Sequence, residues 1–216
     1  MIPIGAARLC IGEGSASMNE TLEALKRELE RFGAEHDAAT SSVPHRMLNV
    51  TRDTGAFLGV LVRAMLARRI LEIGTSNGYS TLWLAEAATA IGGSVTTIEL
   101  DSGKLDMASS NFRRSGLASV ITQVHDDAGI WLPTVAPGSY DMVFLDSERV
   151  EYPGWWPFID RVLRPGGLLV VDNATSHPAE VEPLFALITT TRRFATSLVP
   201  IGKGEFLAVG EASARS

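Results

Sequence analysis

The segment Arg69-Ile70-Leu71-Glu72-Ile73-Gly74-Thr75-Ser76-Asn77-Gly78-Tyr79-Ser80 decides the fold. Its first five residues form a short apolar run, the signature of a strand. Gly74 and Gly78 then punctuate a turn, and Leu82, Leu84 and Ala88 continue at helical spacing. A buried strand that passes through a tight turn into a helix is the opening unit of a parallel α/β sheet.

Working outward, the same alternation recurs. Apolar strands are expected at Val95–Leu100, Val120–Val124, Tyr140–Leu145 and Gly167–Val171, with helices near 104–115, 154–163 and 179–190. Two last strands, Thr196–Pro200 and Glu205–Val209, flank Gly202 and Gly204, so a hairpin closes the sheet. A hairpin strand must run against its neighbour. The expected fold is therefore α/β, a mainly parallel sheet of seven strands with one of them antiparallel. Upstream, Leu22, Leu25, Leu29 and Phe32 predict a helix over 19–36, with Ser17 and Glu20 as its capping box. A second helix is expected over 55–67, capped by Asp53 or Thr54. Residues 1–17 read as a tail, 18–67 as a helical cap and 68–210 as the core of one domain.

The chain has 216 residues, a net charge of −6, 45% hydrophobic and 20% charged residues. That length buries a core without staples. The acidic balance argues against a nucleic-acid partner. No apolar run nears the roughly 18 residues of a membrane span. The lone Cys10 excludes an intrachain disulfide and suggests a reducing, cytoplasmic setting.

Two constellations carry chemistry. Gly74 and Gly78 free the turn for close approach of a ligand to the backbone. Glu99, 25 residues beyond Gly74 at the end of the second strand, can accept both hydroxyls of a ribose. The spacing is G-x-x-x-G, not the G-x-G-x-x-G of dinucleotide sites. This favours S-adenosylmethionine as cofactor. Separately, Asp146 ends the fourth strand and Asp172-Asn173 the fifth. Adjacent strand ends would gather two carboxylates and an amide, a hard oxygen set suited to Mg²⁺, or to Mn²⁺ or Ca²⁺. Plain loop capping accounts for the same residues equally well.

The segments LEIGTSNGYS (71–80), YDMVFLDSERVEY (140–152), RVLRPGGLLVVDN (161–173) and LVPIGKGEFLAV (198–209) stand in the order found in the cation-dependent O-methyltransferases. Over about Met47 to Val209 the chain resembles that family, which includes the catechol and caffeoyl-CoA enzymes. The resemblance implies a class I methyltransferase fold, a Rossmann-like, seven-stranded, mostly parallel sheet with strand 7 antiparallel and helices on both faces, and assigns roles to matching positions. Val50, Glu72, Gly74, Thr75, Gly78 and Ser80 would line the adenosylmethionine site, and Glu99 would hold the ribose. Asp127 and Ala128 would lie along the adenine. Asp146 would serve both metal and cofactor, Glu148 would meet the cofactor's amino group, and Asp172 and Asn173 would complete the metal ligands. A small phenolic or vicinal-diol acceptor and a homodimer follow from the same resemblance.

One departure matters. Many relatives place a lysine three residues after the metal aspartate, and this chain has Arg149. Arginine does not give up its proton in a protein, so it can orient or stabilise but not act as a base. His177 is the alternative base, with a solvated loop residue as its plainer reading. Arg149 could equally be a surface ion-pair partner of Glu148 or Glu151. Trp155 and Trp156 read either as an aromatic wall for the acceptor or as helix packing. Metal-independent methyl transfer, and a cofactor-binding protein with little catalysis, are the competing functions.

Overall fold

The computed structural model describes residues 13–42 and 45–212, with side chains from Leu22 onward. Residues 1–12, Cys10 among them, lie outside the described residues. Seven strands form one sheet in the order β3-β2-β1-β4-β5-β7-β6. They are β1 (Arg69–Ile73), β2 (Ser94–Glu99), β3 (Ile121–His125), β4 (Tyr140–Leu145), β5 (Leu163–Val171), β6 (Phe194–Val199) and β7 (Glu205–Gly210). β1 to β5 pair in parallel, and β7 runs antiparallel to both β5 and β6.

The helices are α1 (Glu13–Ala39), α2 (Arg52–Met65), α3 (Tyr79–Thr89), α4 (Ser102–Ser115), α5 (Ala128–Trp131), α6 (Tyr152–Val162) and α7 (Pro178–Thr190). Successive strand residues face opposite sides of the sheet. Ile70, Val95, Met142, Phe144 and Val170 accordingly bury against α1 to α4. Leu71, Ile73, Val143, Leu145 and Val171 bury against α5 to α7. Trp155 and Trp156 are buried in that second cluster, so packing is their role.

Several boundaries differ from expectation. α1 begins at Glu13, inside the segment read as a tail, so Ser17 and Glu20 lie within the helix and not at its start. Thr51 caps α2, its side chain accepting from the Thr54 amide, and Asp53 falls in the first turn. β5 starts four residues early at Leu163, where pairing with Tyr140 carries an irregular register. The short α5 has too few residues to show a helical period in the sequence.

The helical cap is fastened by charge. The ammonium of Lys26, wholly buried, donates to Glu23 at 3.1 Å and to Glu86 at 2.6 Å. It also stands 3.5 Å from the centre of the Trp83 ring. Arg52 reaches Glu30 at 2.6 Å, and the Tyr79 hydroxyl donates to the same carboxylate. α1 is thereby tied to α2 and to the helix that follows the glycine turn.

Asp141, at the start of β4, pins three strand ends. Its Oδ2 accepts from the Arg68 and Arg69 amides, each at 2.8 Å, and its Oδ1 accepts from Arg164 Nε at 2.6 Å. Burial works against its charge. The Arg69 amide, Arg164 and the Arg68 amide together outweigh burial and hold the carboxyl below its ordinary value. A cavity of about 660 Å³ at this edge, lined by Arg68, Arg69, Gly93 and Asp141, lies away from the chemistry of the opposite edge. A folded-state value below the unfolded one stabilises above the ordinary 3.8 and fades as pH falls through it. Asp141→Asn should therefore cost roughly 2 kcal/mol near neutral pH. Urea denaturation should show the gap from wild type closing below the ordinary 3.8.

Candidate active site

The strand order reverses between β1 and β4, and open α/β sheets bind ligands at the carboxyl ends flanking such a reversal. Here those ends almost touch. Gly74 has φ +104, and a Cβ on it would lie 2.0 Å from the Asp146 carbonyl oxygen. Both Gly74 and Thr75 donate their amides to Ile98 O, which draws the end of β2 to the same place. Gly78 caps α3 at φ +85, and a Cβ there would meet the Phe112 ring at 2.5 Å. Packing within the protein therefore demands a glycine at both positions.

Beneath the turn, Glu72 is wholly buried. Its Oε1 accepts from Ser80 Oγ at 2.6 Å, and its Oε2 accepts from Thr97 Oγ1 at 2.6 Å and from the Thr81 hydroxyl. Thr75 Oγ1 and Thr97 Oγ1 share a further bond of 2.6 Å. Glu72, Thr75 and Ser80 were expected to line the cofactor site. In the structure Ser80 bonds Glu72 directly, and Thr75 joins the same network through Thr97. The turn's surface is left to backbone and to Ser76.

Glu99 is half-buried at the end of β2. Its Oε2 accepts from the Ser76 amide at 2.8 Å, and its Oε1 accepts from the Leu100 and Asp101 amides at 3.0 Å. The carboxylate is thus held at the mouth of the turn. Asp127 caps α5, its Oδ1 accepting from the Gly129 and Ile130 amides, with Ala128 buried beside it. Val50 is buried, and the neighbouring Met47 carbonyl accepts from Ser76 Oγ at 2.8 Å. Asp37 of α1 holds this segment by accepting from the Met47 and Leu48 amides. Asp37, Ser76, Thr81 and Thr97 are not marked in the sequence, because isolated polar residues carry no periodic signal in helix, turn or strand.

The oxygen-rich group assembles at the adjoining ends of β4 and β5. Asn173 Nδ2 donates to Asp172 Oδ2 at 2.8 Å and to Asp146 Oδ1 at 3.2 Å. Asn173 takes φ +67, a left-handed conformation that asparagine tolerates better than most residues. Asp172 is buried, and its Oδ1 has no hydrogen-bond partner. Burial, then the charge of Asp172, push the Asp146 carboxyl well above its ordinary range, with Lys203 and Arg149 acting against the rise. Among the described residues no three His, Cys, Asp or Glu side chains converge into a ready ligand cage. The set is two carboxylates and an amide that here turns its Nδ2 to the carboxylates and its Oδ1 to Ser176 Oγ, so Asn173 would offer oxygen to an ion only with its amide reversed. The unpartnered Asp172 oxygen fits a hard cation.

Around this group, Ser147 N donates to the Tyr152 hydroxyl at 2.7 Å, which fixes the loop after Asp146. Glu148 is exposed. Arg149 Nε donates to Glu180 Oε2 of α7 at 2.6 Å, so its partner is neither Glu148 nor Glu151. Sequence proximity misled there, because the chain rises through a turn that points Arg149 across to α7. His177 caps α7, exposed, with Nδ1 2.9 Å from Ser176 Oγ.

A parallel sheet reversed at β1 and β4, with a glycine turn and an acidic end to β2, defines the class I methyltransferase architecture. The chain belongs to the O-methyltransferase family, whose sequence profile matches residues 15–209. That membership makes it an S-adenosylmethionine-dependent methyltransferase by class. It is 37% identical to a catechol O-methyltransferase of Mycobacterium tuberculosis over 136 residues, 63% of this chain and 61% of that enzyme. It is 33% identical to the catechol O-methyltransferase of Niastella koreensis, covering 72% of this chain and 74% of the other. The O-methyltransferase of Bacillus cereus in complex with SAH superposes with a TM-score of 0.73 at 26% identity, covering 94% of each chain. No described helix is long and apolar enough to cross a membrane.

Glu72 supplies a test of the buried network. Burial raises its carboxyl to about 7 despite the hydroxyls of Ser80, Thr81 and Thr97. The folded state then holds this proton more tightly than the unfolded chain, so stability falls as pH rises from the ordinary 4.5 towards 7. Glu72→Gln should flatten this decline by on the order of 3 kcal/mol. Urea midpoints measured on both sides of that window check it, and an unchanged slope would show the carboxylate ionised throughout.

Proposed function

We propose that the chain transfers the methyl group of S-adenosylmethionine to a hydroxyl of a small phenolic or vicinal-diol acceptor, assisted by a divalent cation. The observation that carries this reading is the placement of Asp146 one strand from the glycine turn and of Asp172 and Asn173 on the next strand over, joined to it through the Asn173 amide. Catechol O-methyltransferases among its relatives support the acceptor class. Structural relatives bound to SAH or SAM support the cofactor.

Glu99, held by three amides, would accept the ribose hydroxyls, and Asp127 would meet the adenine edge above Ala128. Adenosylmethionine supplies an electrophilic methyl on a sulfonium, so the protein's work is alignment. Asp146, Asp172 and Asn173 would hold the cation, which supplies Lewis acidity toward neighbouring acceptor oxygens. Arg149 cannot accept a proton, and its bond to Glu180 orients it as a positive wall at the acceptor side. His177 lies four residues beyond Asn173, exposed to solvent and free to relay a proton outward. The homodimer remains part of the proposal.

A metal-independent transfer is the second reading, favoured by the Asn173 amide, which already bridges both carboxylates without an ion. Calorimetry separates the two. Wild type should bind adenosylmethionine at micromolar concentration. Glu99→Ala should weaken that binding by about 10-fold or more, the loss of charge-assisted hydrogen bonds. Asp172→Ala should leave cofactor binding intact and abolish catechol methylation, as EDTA should in wild type. Turnover that survives both EDTA and Asp172→Ala would sink the cation-assisted mechanism.

A further inference from the structure

The cation site has a neighbour that the family motifs do not account for. In the β5–β7 ladder, Val171 pairs with Phe206, and both side chains pack into the α5–α7 cluster. One residue further along, Asp172 and Glu205 therefore both project to the other face, side by side. Glu205 is wholly buried and lies within hydrogen-bonding reach of Asp172. A single donor serves it: Thr54 Oγ1 of α2 gives a hydrogen bond of 3.0 Å to its Oε1. Its Oε2 has no partner, and neither has Asp172 Oδ1.

Two like-charged groups set directly opposite across a buried ladder destabilise a fold. The protein shows the cost openly, since two carboxyl oxygens there lack a donor. No ion pair to either acid occurs among the described residues. Leucine or valine would fill this β7 position at no electrostatic cost. The turn that carries Glu205 is also unusually well anchored. The Lys203 carbonyl accepts from the Thr175 and Ser176 amides, at 3.0 and 3.1 Å, and from Thr175 Oγ1 at 2.6 Å. A Cβ on Gly202 would lie 2.2 Å from Thr54 Oγ1, so the turn is seated tightly on α2. Glu205 is thus held from both sides against the face of Asp172 that Asn173 leaves free.

We propose that Glu205 is a positioning residue of the divalent-cation site, its carboxyl group backing Asp172 and holding that ligand in its binding orientation. The inference rests on the cation-assisted reading above. Groups that orient a metal ligand contribute to affinity nearly as the ligands do. Through Thr54 the same contact joins the cation site to the start of α2, one turn from Val50 at the cofactor cleft. Occupancy by the cation should therefore steady the cofactor-side segment as well.

The test is Mn²⁺ titration of the metal-free protein, read by calorimetry and by the electron paramagnetic resonance signal of free Mn²⁺. Wild type, Asp172→Ala, Glu205→Gln, Glu205→Asp and Thr54→Val are compared, each with its melting temperature in EDTA. Asp172→Ala should lose binding. Glu205→Gln should bind Mn²⁺ about 10- to 100-fold more weakly while melting no lower in EDTA than wild type. Glu205→Asp should recover part of the loss. Thr54→Val, which keeps the carboxylate but frees it, should weaken binding less than Glu205→Gln and supplies the answer should that variant not fold. Wild-type Mn²⁺ affinity in Glu205→Gln, with binding still lost in Asp172→Ala, overturns the role of Glu205 and leaves the cation site standing. Absence of Mn²⁺ binding by wild type overturns the cation-assisted reading and this inference with it.

Discussion

The end of β1 and the end of β4 meet at the distance of a backbone contact, and the cleft is built on that approach. Only a residue without a side chain fits at Gly74, where any Cβ would strike the Asp146 carbonyl. This closeness brings a nucleoside-sized turn and an oxygen-rich ligand group into one site. The β2 end joins them through the Ile98 carbonyl, which accepts from two amides of the turn. A methyl donor on one side and an acceptor on the other need such adjacency more than they need elaborate side-chain chemistry.

Buried acid is the second theme of the site. Glu72, Asp146, Asp172 and Glu205 all stand on or beside the carboxyl edge of the sheet, and burial raises three of them above the ordinary carboxylate range. They are satisfied differently. Glu72 is bonded by three hydroxyls and needs no ligand. Asp172 Oδ1 and Glu205 Oε2 have no hydrogen-bond partner among the described residues.

Arg149 is placed by the same edge. A lysine at this position could move a proton, whereas the guanidinium bonded to Glu180 is a fixed positive charge. Its field reaches Asp146 and opposes the rise in that carboxyl's affinity for protons. In the proposed function, the acceptor's proton would pass to solvent or to the exposed His177, with the cation lowering the hydroxyl's pKa.

Local chemistry made much of this legible in the chain itself. Strand and helix periods, the glycine turn, the acidic end of β2 and the Asp146, Asp172 and Asn173 set are properties of short segments, so residue order alone revealed them. The Gly202–Gly204 hairpin required that one of the last two strands run against the sheet, and insertion of β7 beside β5 makes it the reversed one. Other features depend on partners far apart in sequence. Glu72 takes hydroxyl partners from both the next helix, Thr81, and the next strand, Thr97. Gly78 is required by Phe112, 34 residues away in the chain. Arg149 finds Glu180 only once α7 packs beside the loop. Glu205 and Asp172, 33 positions apart, become neighbours only through the antiparallel register of β5 and β7. Periodicity reports which face a residue occupies. Which other residue shares that place is decided by strand order and register, and these exist only in the folded sheet.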